Sequence, residues 1–326
     1  MNIEKLLSVI RDKSKFQCKF DEKRNQFILQ IKKNNELTYV PEIVGNINNS
    51  NINAIIQYML HLNKKSILIS NHISKVLAEK LQKANIEYID FSGNMYINSP
   101  TIFISIKGET PKKQNLPDII QFTLSVASIK IIFTLLAIKN PLDHTYRELA
   151  KMSNVALGSI SKTLLFLEKY GYIIKKNPGE KHLVNKDTLL RKWCIGYAEK
   201  LRPKLIIEKF STDNPARLIE TKPLDFNFLW GGEMAAAKLT HYLSPKIITL
   251  YADDASPQLQ YKCRLKKDNH GNIELIKKFW NFDTKAYNQN HVPFILVYAD
   301  LLSSQDERTK ETAEMIYDKF IRKQME

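Results

Sequence analysis

Cysteine and histidine are too sparse and too scattered in this chain to suggest a disulfide framework or a metal site. Its 326 residues include only three cysteines, Cys18, Cys194 and Cys263, which lie far apart and are odd in number. There is no CxxC pair, and the seven histidines are not paired at metal-ligand spacing. We therefore expect no disulfide scaffold, no structural metal and no bound cofactor.

Long apolar runs are also missing. No stretch approaches the roughly 18 consecutive apolar residues that a membrane-spanning helix needs. The first residues, MNIEKLLSVIRDK, lack the apolar core of a secretory signal peptide. The sequence therefore predicts a cytoplasmic protein that does not contact a membrane.

Positive charge is plentiful, but it is unevenly distributed. The formal net charge is +15; residues 125–212 carry 16 Lys and Arg against 7 Asp and Glu, whereas residues 213–326 carry 16 of each. A local excess of cations attracts a polyanion, because neutralising phosphates releases condensed counterions. A generally lysine-rich composition would also produce a basic chain, so a nucleic-acid interpretation needs support from a motif.

The first 110 residues have the pattern of a mixed α/β unit. Short alternating or apolar runs predict strands, and apolar residues at helical spacing predict two helices, the second with Val76, Leu77 and Leu81 on one face. The predicted strands are Phe27–Lys32, Leu37–Val40, Ser66–Ser70 and Tyr88–Phe91, followed by a hairpin of Met95–Ile97 and Thr101–Ile106; the predicted helices are Asn53–Leu62 and Ile73–Ala84. A polar linker over residues 111–124 is expected to end this domain.

The order of predicted elements in residues 125–212 is that of a winged helix-turn-helix. An apolar helix over Ser125–Ile138 comes first, and a capping box of Thr145 and Glu148 then begins a short helix that ends near Met152. A tight turn leads to a longer helix over Leu157–Tyr170. Its predicted buried face consists of Ile160, Leu164, Leu165 and Leu167.

Two short strands after this helix predict the hairpin, or wing, of such a domain. Tyr172–Lys175 and Lys181–Val184 are joined by residues with turn chemistry. A further amphipathic helix is predicted over Lys186–Leu201. The order helix, helix, turn, helix, hairpin predicts binding of double-stranded DNA, with the Leu157–Tyr170 helix in the major groove.

The DNA-contact candidates are polar or cationic side chains at the exposed ends of these elements. Short polar or cationic side chains at the start of a recognition helix can reach base edges and phosphates, and wing cations can reach the backbone or the minor groove. The candidates are Thr145, Arg147, Ser159, Ser161, Lys162, Lys175, Lys176, Lys181 and His182. None of those on the recognition helix is an arginine, so phosphate and shape recognition are expected to be large relative to base-edge contacts.

Residues 213–326 predict a second α/β unit, which makes the whole chain an α+β multidomain protein. Helices are predicted over Gly232–Leu243 and Asp306–Arg322, and strands over Ile247–Tyr251 and Phe294–Tyr298. No internal repeat is present.

Acidic residues at predicted strand ends raise two enzymatic alternatives. A nuclease using Asp90 would need a second acid and a lysine spaced Glu-x-Lys on the next strand, and neither is present. A nucleotidyltransferase using Asp253 and Asp254 would need two acids separated by one residue soon after Gly231-Gly232. Here the acids are adjacent and come about twenty residues later. We therefore interpret Asp90 as an acceptor for the turn that follows it, interpret the glycines and the aspartate pair as a helix cap and a turn, and expect no catalytic residue.

Three stretches of the chain resemble a known family. They are Ile86–Ile97 (IEYIDFSGNMYI), Trp230–Ala236 (WGGEMAA) with Leu243-Ser244-Pro245 and Tyr251, and Val297–Leu302 (VYADLL) with Asp306-Glu307-Arg308 and Glu311–Ala313. Together with the predicted winged helix, the chain resembles the AbiEi-like antitoxins, the transcriptional-regulator half of type IV toxin–antitoxin systems. Better-known members carry their DNA-binding helices at the extreme N-terminus, whereas the clearest helix-turn-helix here is central.

The resemblance implies a bacterial regulator that binds its own promoter and represses its own operon. It also implies that the C-terminal domain opposes a nucleotidyltransferase-like toxin without forming a stable complex with it. Because winged-helix repressors often bind DNA as dimers, a homodimer is one expected assembly. The alternatives that stay open are the two enzymes above and a winged-helix module that binds an acidic protein.

Overall fold

A computed structural model describes residues 3–14, 16–21, 24, 26–32, 35–110, 124–177, 180–283 and 290–325. These residues fall into two compact units, one within residues 1–123 and the other within residues 124–326. Of the predicted linker, only Leu124 lies within the described residues. None of the helices in the described ranges combines the length and the continuous apolar character that crossing a bilayer requires.

The first unit is a seven-stranded sheet with three helices. Its elements are α1 (Ile3–Ser14), β1 (Gln17–Asp21), β2 (Gln26–Lys32), β3 (Asn35–Val44), α2 (Ile52–His61), β4 (Ser66–Ser70), α3 (Lys75–Lys83), β5 (Tyr88–Asp90), β6 (Met95–Ser99) and β7 (Ile102–Ile106). The strands lie in sequence order, with β3, β4 and β5 parallel and the other pairs antiparallel. The parallel strands are joined by α2 and α3, as parallel connections require.

Strand β4 shows why this sheet is stable. Ile67, Leu68 and Ile69 point alternately to the two faces of the sheet, yet all three are fully buried. Ile67 and Ile69 join a cluster to which α1 contributes Leu6 and Ile10. A central parallel strand is covered on both faces of the sheet, so its side chains on both faces are apolar. This explains the continuous apolar run in the sequence.

Most of the elements predicted for the first unit are present within a few residues of their predicted bounds. The prediction that Val76 shares a face with Leu77 and Leu81 is wrong, because its side chain is 60% exposed whereas Leu77 and Leu81 are buried. Val76 precedes Leu77 by one residue, and a rotation of about 100° per residue places it outside the apolar stripe. Helix α1 and strand β1 were not predicted.

The second unit begins with three helices and a hairpin, followed by a fourth helix. These elements are α4 (Val126–Ala137), α5 (Tyr146–Ser153), α6 (Leu157–Lys169), β8 (Ile173–Asn177), β9 (Glu180–Leu183) and α7 (Lys186–Gly196). Strands β8 and β9 are antiparallel and form a sheet of their own. We call α4, α5, α6, β8 and β9 together the helix–hairpin segment.

A five-stranded mixed sheet with helices forms the rest of the second unit. A π-helical turn over Tyr197–Leu201 leads to α8 (Arg202–Leu205), β10 (Ile206–Ser211), α9 (Pro215–Ile219), β11 (Phe228–Gly231), α10 (Gly232–Thr240), β12 (Ile248–Ala252), α11 (Pro257–Cys263), β13 (Lys266–Lys267), β14 (Ile273–Lys277), α12 (Phe294–Leu302), α13 (Glu307–Ile316) and, after a second π-helical turn, α14 (Arg322–Met325). The strand order is β11-β12-β14-β10-β13, and β12 and β14 are parallel.

The prediction of a strand over Phe294–Tyr298 is wrong, because these residues begin helix α12. Every residue from Ile295 to Leu302 is buried. A helix that is buried on all sides has no polar face, and the single charged residue Asp300 does not create one, so the sequence shows no helical period and cannot be distinguished from a buried strand. Consequently Asp300 lies inside a buried helix and not at the end of a strand.

A cluster of aromatic rings joins α4 to α7 and to the residues that follow β14. Phe133 of α4 lies 5.5 Å from Trp193 and 4.8 Å from Phe279, measured between ring centroids. Trp280 lies 5.3 Å from the same ring. The predicted domains 125–212 and 213–326 thus share one core, and the boundary between them at residue 212 stays a prediction.

Candidate nucleic-acid interface

Helix α5 begins at the capping box that the sequence predicts. The Glu148 backbone N–H donates to Thr145 Oγ1 over 3.3 Å, and the Thr145 backbone N–H donates to Glu148 Oε2 over 2.8 Å. The Thr145 hydroxyl also donates to Glu148 Oε2 over 2.9 Å. These hydrogen bonds from Thr145 hold the pKa of Glu148 below its usual range. Thr145 is exposed, but its hydroxyl hydrogen and one oxygen lone pair are used within the box, which leaves one lone pair for a further partner.

The turn between α5 and α6 is fixed by two local devices. Asn154 ends α5 in the left-handed conformation, at φ +52°, which asparagine adopts more readily than most residues. The buried Ser153 hydroxyl donates to Thr134 Oγ1 of α4 over 2.9 Å. These two features fix the direction of α6 relative to α4.

Helix α6 has one buried and one exposed face. Ile160, Leu164 and Leu167 are buried as predicted, together with Thr163, which was not predicted. The prediction that Leu165 belongs to this face is wrong, because its side chain is 64% exposed. It follows Leu164 by one residue, and the rotation of about 100° per residue carries it away from the core.

The predicted contact residues of α6 lie on different parts of its surface. Lys162 is exposed, and Ser159 and Ser161 are half-buried. The Ser161 hydroxyl donates to the Gly158 carbonyl over 3.3 Å. On the helix circumference, Ser161 and Lys162 share the exposed face, whereas Ser159 lies at its edge towards Thr163.

The predicted wing residues are placed on the β8–β9 hairpin, but they differ in their surroundings. Lys175 is exposed and stands opposite Lys181 in the register. The Lys181 ammonium lies 2.6 Å from Glu168 Oε1 of α6, and His182 Nε2 lies 2.9 Å from Glu180 Oε1. The hydrogen bond with Lys181 lowers the pKa of Glu168, and the same bond raises the pKa of Lys181. The side chain of Lys176 lies outside the described residues.

Other exposed residues of the helix–hairpin segment escaped prediction. Lys151 of α5 and Lys169 of α6 were not predicted as contacts, yet they are exposed cations. The predicted residue Arg147 of α5 is also exposed. Leu157 and Gly158 are exposed at the start of α6. Plotting the sequence around the helix would have found them, since all of them lie off the buried stripe.

A buried polar network in the remainder of the second unit is centred on Asp300 of α12. The Tyr197 hydroxyl donates to Asp300 Oδ1 over 2.8 Å, and the Tyr251 hydroxyl lies 2.9 Å from Oδ2. The two hydroxyl oxygens are themselves 2.6 Å apart. Burial raises the pKa of Asp300, while Arg202 and the tyrosine hydroxyls act in the opposite direction.

Arg202 extends this network to the sheet. Its Nε donates to Asp300 Oδ1 over 3.1 Å, and its Nη2 donates to Glu274 Oε2 of β14 over 2.7 Å. Lys209 of β10 lies 2.9 Å from the other oxygen of Glu274. The network therefore joins α8, α12, β10 and β14. Sequence reasoning missed Arg202 and Glu274, which are separated from Asp300 by 98 and 26 residues.

The glycine pair Gly231-Gly232 lies beside this network. A Cβ atom at Gly231 would be 2.4 Å from the Tyr251 ring, and Gly232 has φ +48°. Gly231 also precedes the first residue of α10. The glycines are required for close packing and a turn, which agrees with their interpretation as a helix cap.

The acidic residues considered for catalysis have distinct surroundings. Asp90 Oδ1 accepts hydrogen bonds from the backbone N–H groups of Ser92 and Asn94, at 2.8 and 2.9 Å, and Oδ2 accepts one from Ile73 at 2.7 Å. The predicted role of Asp90 as an acceptor for the following turn is confirmed. Asp253 and Asp254 are exposed at the end of β12, in a groove of about 620 Å³ that Asp225 and Asp283 also line. In the part of the chain that the structure describes, no three His, Cys, Asp or Glu side chains are grouped so that they could hold a metal ion.

A family model matches part of the chain. Residues 182–322 match the family model described as "Transcriptional regulator, AbiEi antitoxin, Type IV TA system". The matched region begins in β9 and includes α7, the five-stranded sheet and the Asp300 network. The resemblance to the AbiEi antitoxins, the transcriptional regulators of type IV toxin–antitoxin systems, is therefore confirmed for this region. No curated protein and no solved structure matches the chain.

Proposed function

We propose that the chain is a DNA-binding transcriptional regulator that represses its own operon and serves as the antitoxin of a type IV toxin–antitoxin system. In this proposal the helix–hairpin segment is a winged helix-turn-helix and α6 is its recognition helix. The observation that carries the proposal is the exposed polar and cationic face of α6, next to a hairpin that carries Lys175. This face lies within residues 125–212, where Lys and Arg outnumber Asp and Glu by 16 to 7.

The dimensions of α6 fit this role. Its 13 residues make a cylinder about 20 Å long, and such a helix enters the major groove, which is about 12 Å wide. Arg147 at the start of α5 and Lys175 on the hairpin are then available to phosphates on either side of the groove. The excess of positive charge supports this arrangement, because it adds attraction that does not depend on base sequence.

The antitoxin role rests on the family match to residues 182–322. The proposed counterpart is a nucleotidyltransferase-like toxin, with which no stable complex is expected, and a homodimer is the proposed form on DNA. The Asp300 network supports a rigid C-terminal region that stays attached to the DNA-binding segment through their shared aromatic core.

A reporter under the chain's own upstream DNA tests the regulatory proposal. We expect the intact chain, supplied from a second plasmid, to lower reporter expression, and the double variant Lys162→Ala, Lys175→Ala to have little effect at equal protein level. Lys266→Ala, which removes an exposed lysine of β13, is the matched control and should repress normally. Full repression by the double variant would contradict the proposal.

The antitoxin proposal has its own readout. Co-expression with the nucleotidyltransferase-like protein encoded in the same operon should restore growth that this protein alone arrests. The Lys162→Ala, Lys175→Ala variant should still restore growth, because it leaves residues 182–322 unchanged. Failure of the intact chain to restore growth would contradict this part of the proposal.

A further inference from the structure

The exposed face of α6 carries apolar side chains as well as polar ones. Leu157 is 47% exposed and Leu165 is 64% exposed. With Ser161 they occupy positions i, i+4 and i+8, which lie in one line along a helix. A Cβ atom added at Gly158, beside this line, would meet nothing within 4 Å. We call Leu157, Gly158, Ser161, Lys162 and Leu165 the groove face.

The cations around the groove face indicate what covers it. Lys162 and Lys169 of α6 and Arg147 of α5 are exposed, and none has an ion-pair partner among the residues that the structure describes. A polyanion that also offers apolar groups would complement both these cations and the two leucines. Double-stranded DNA meets both conditions, because the C5 methyl of thymine is the apolar group that base edges present in the major groove.

The Ser161 hydroxyl can accept a hydrogen bond from a base edge. Its hydroxyl hydrogen is donated to the Gly158 carbonyl, so its oxygen is available as an acceptor. Adenine N6 and cytosine N4 are the donors that the major groove offers. The two leucines are apolar, and thymine is the base that presents a methyl group in the major groove, so A·T pairs are the ones that the leucines fit best.

We propose that Leu157 and Leu165 contact thymine methyl groups, so that the operator carries A·T pairs opposite the groove face. This inference rests on the proposed function of α6 as a recognition helix. Eight residues separate the two leucines, or about 12 Å along the helix. At about 3.4 Å per base pair, that distance corresponds to three or four pairs.

The experiment replaces thymine by deoxyuridine, which keeps base pairing and removes only the methyl group. Fluorescence anisotropy with the full chain would compare its own upstream duplex, the same duplex with deoxyuridine, and a scrambled duplex. We expect wild-type affinity to fall about fourfold for each contacted methyl that is removed. Leu165→Ala and Leu157→Ala should bind the thymine duplex more weakly and should lose part or all of this deoxyuridine effect.

Leu60→Ala is the matched control, since Leu60 is 59% exposed in the first unit; it should retain the full deoxyuridine effect. Thermal melts would show that the exposed leucines do not alter folding. Equal affinity of the wild-type chain for thymine and deoxyuridine duplexes, with the scrambled duplex bound more weakly, would overturn this inference and leave the proposed function intact. Absence of binding to every duplex would contradict both.

Light scattering of the leucine variants tests whether Leu157 and Leu165 lie in a protein–protein interface instead. If Leu157→Ala or Leu165→Ala lowered the molar mass measured by light scattering and left the deoxyuridine effect unchanged, the leucines would cover a protein interface. That result would also overturn the inference.

Discussion

Arg202 donates a hydrogen bond from Nε to Asp300 Oδ1 over 3.1 Å. The two residues belong to α8 and α12, and the Asp300 side chain is almost fully buried. Arg202 follows directly on the π-helical turn after α7, so this pair, which lies within the region that matches the antitoxin family, fixes the chain after α7 against α12. A buried carboxylate in this position depends on its cation and on the tyrosine hydroxyls, because desolvation opposes its charge.

Removal of the Asp300 charge should destabilise the protein strongly. Asp300→Asn leaves the Arg202 guanidinium without one of its two carboxylates, and loss of one partner of a buried pair costs about 3 kcal/mol of unfolding free energy. Urea denaturation at pH 7 measures this. The control is Asp318→Asn, which removes an exposed pair with Arg322 and should cost less than about 1 kcal/mol. Equal losses in the two variants would contradict the assigned role of the network.

Addition of a methyl group at Gly231 should also be costly. The new Cβ would overlap the Tyr251 ring at 2.4 Å, and overpacking of this kind costs about 1–3 kcal/mol. Gly158→Ala is the matched control, because its Cβ meets open space and alanine favours a helix over glycine by up to about 1 kcal/mol. Denaturation midpoints should therefore move in opposite directions. A neutral Gly231→Ala would show that Tyr251 is not closely packed there.

His291 should make the protein less stable as the solution is acidified. Burial lowers the pKa of His291 in the folded chain, so the unfolded chain binds a proton more readily than the folded one. The unfolding free energy should then decrease as the pH falls below about 6.5, the value in an unfolded chain. His291→Gln should reduce the decrease between pH 7.5 and pH 5.5, as measured by urea denaturation. An identical decrease in both proteins would contradict this role.

The two hairpin lysines should contribute differently to the salt dependence of DNA binding. Each phosphate contact contributes about −0.9 to the slope of log affinity against log salt concentration. Lys175 is exposed, so Lys175→Ala should reduce the slope by about one contact. Lys181 is paired with Glu168, and Lys181→Ala should reduce the slope less. A larger effect for Lys181 would show that the ion pair opens on DNA; no change in either variant would remove the hairpin from the interface.

Local signals were the part of the fold that the sequence could predict. The Thr145–Glu148 capping box spans four residues and depends only on residue types that satisfy the first N–H groups of a helix. The strand over Ser66–Ser70 and the turn at Asp90 are similarly local. Each of these signals is independent of the rest of the chain, and the structure confirms each of them.

Burial and distant contacts explain what could not be predicted. Helix α12 has no polar face, so its periodicity is hidden. The Arg202–Asp300 pair joins residues 98 positions apart and exists only once α8 and α12 are packed together. On α6, by contrast, Leu165 could have been separated from Leu164 by helical geometry, because only Leu164 keeps the i, i+4, i+7 spacing with Ile160 and Leu167.

A gel-shift titration of the full chain tests the central claim most directly. The chain would be titrated against its own upstream DNA and a scrambled duplex at several salt concentrations, alongside the triple variant Ser159→Ala, Ser161→Ala, Lys162→Ala. We expect the intact chain to prefer its own upstream DNA and the variant to lose this preference. Equal, steeply salt-dependent binding to both duplexes, or no binding to either, would contradict it.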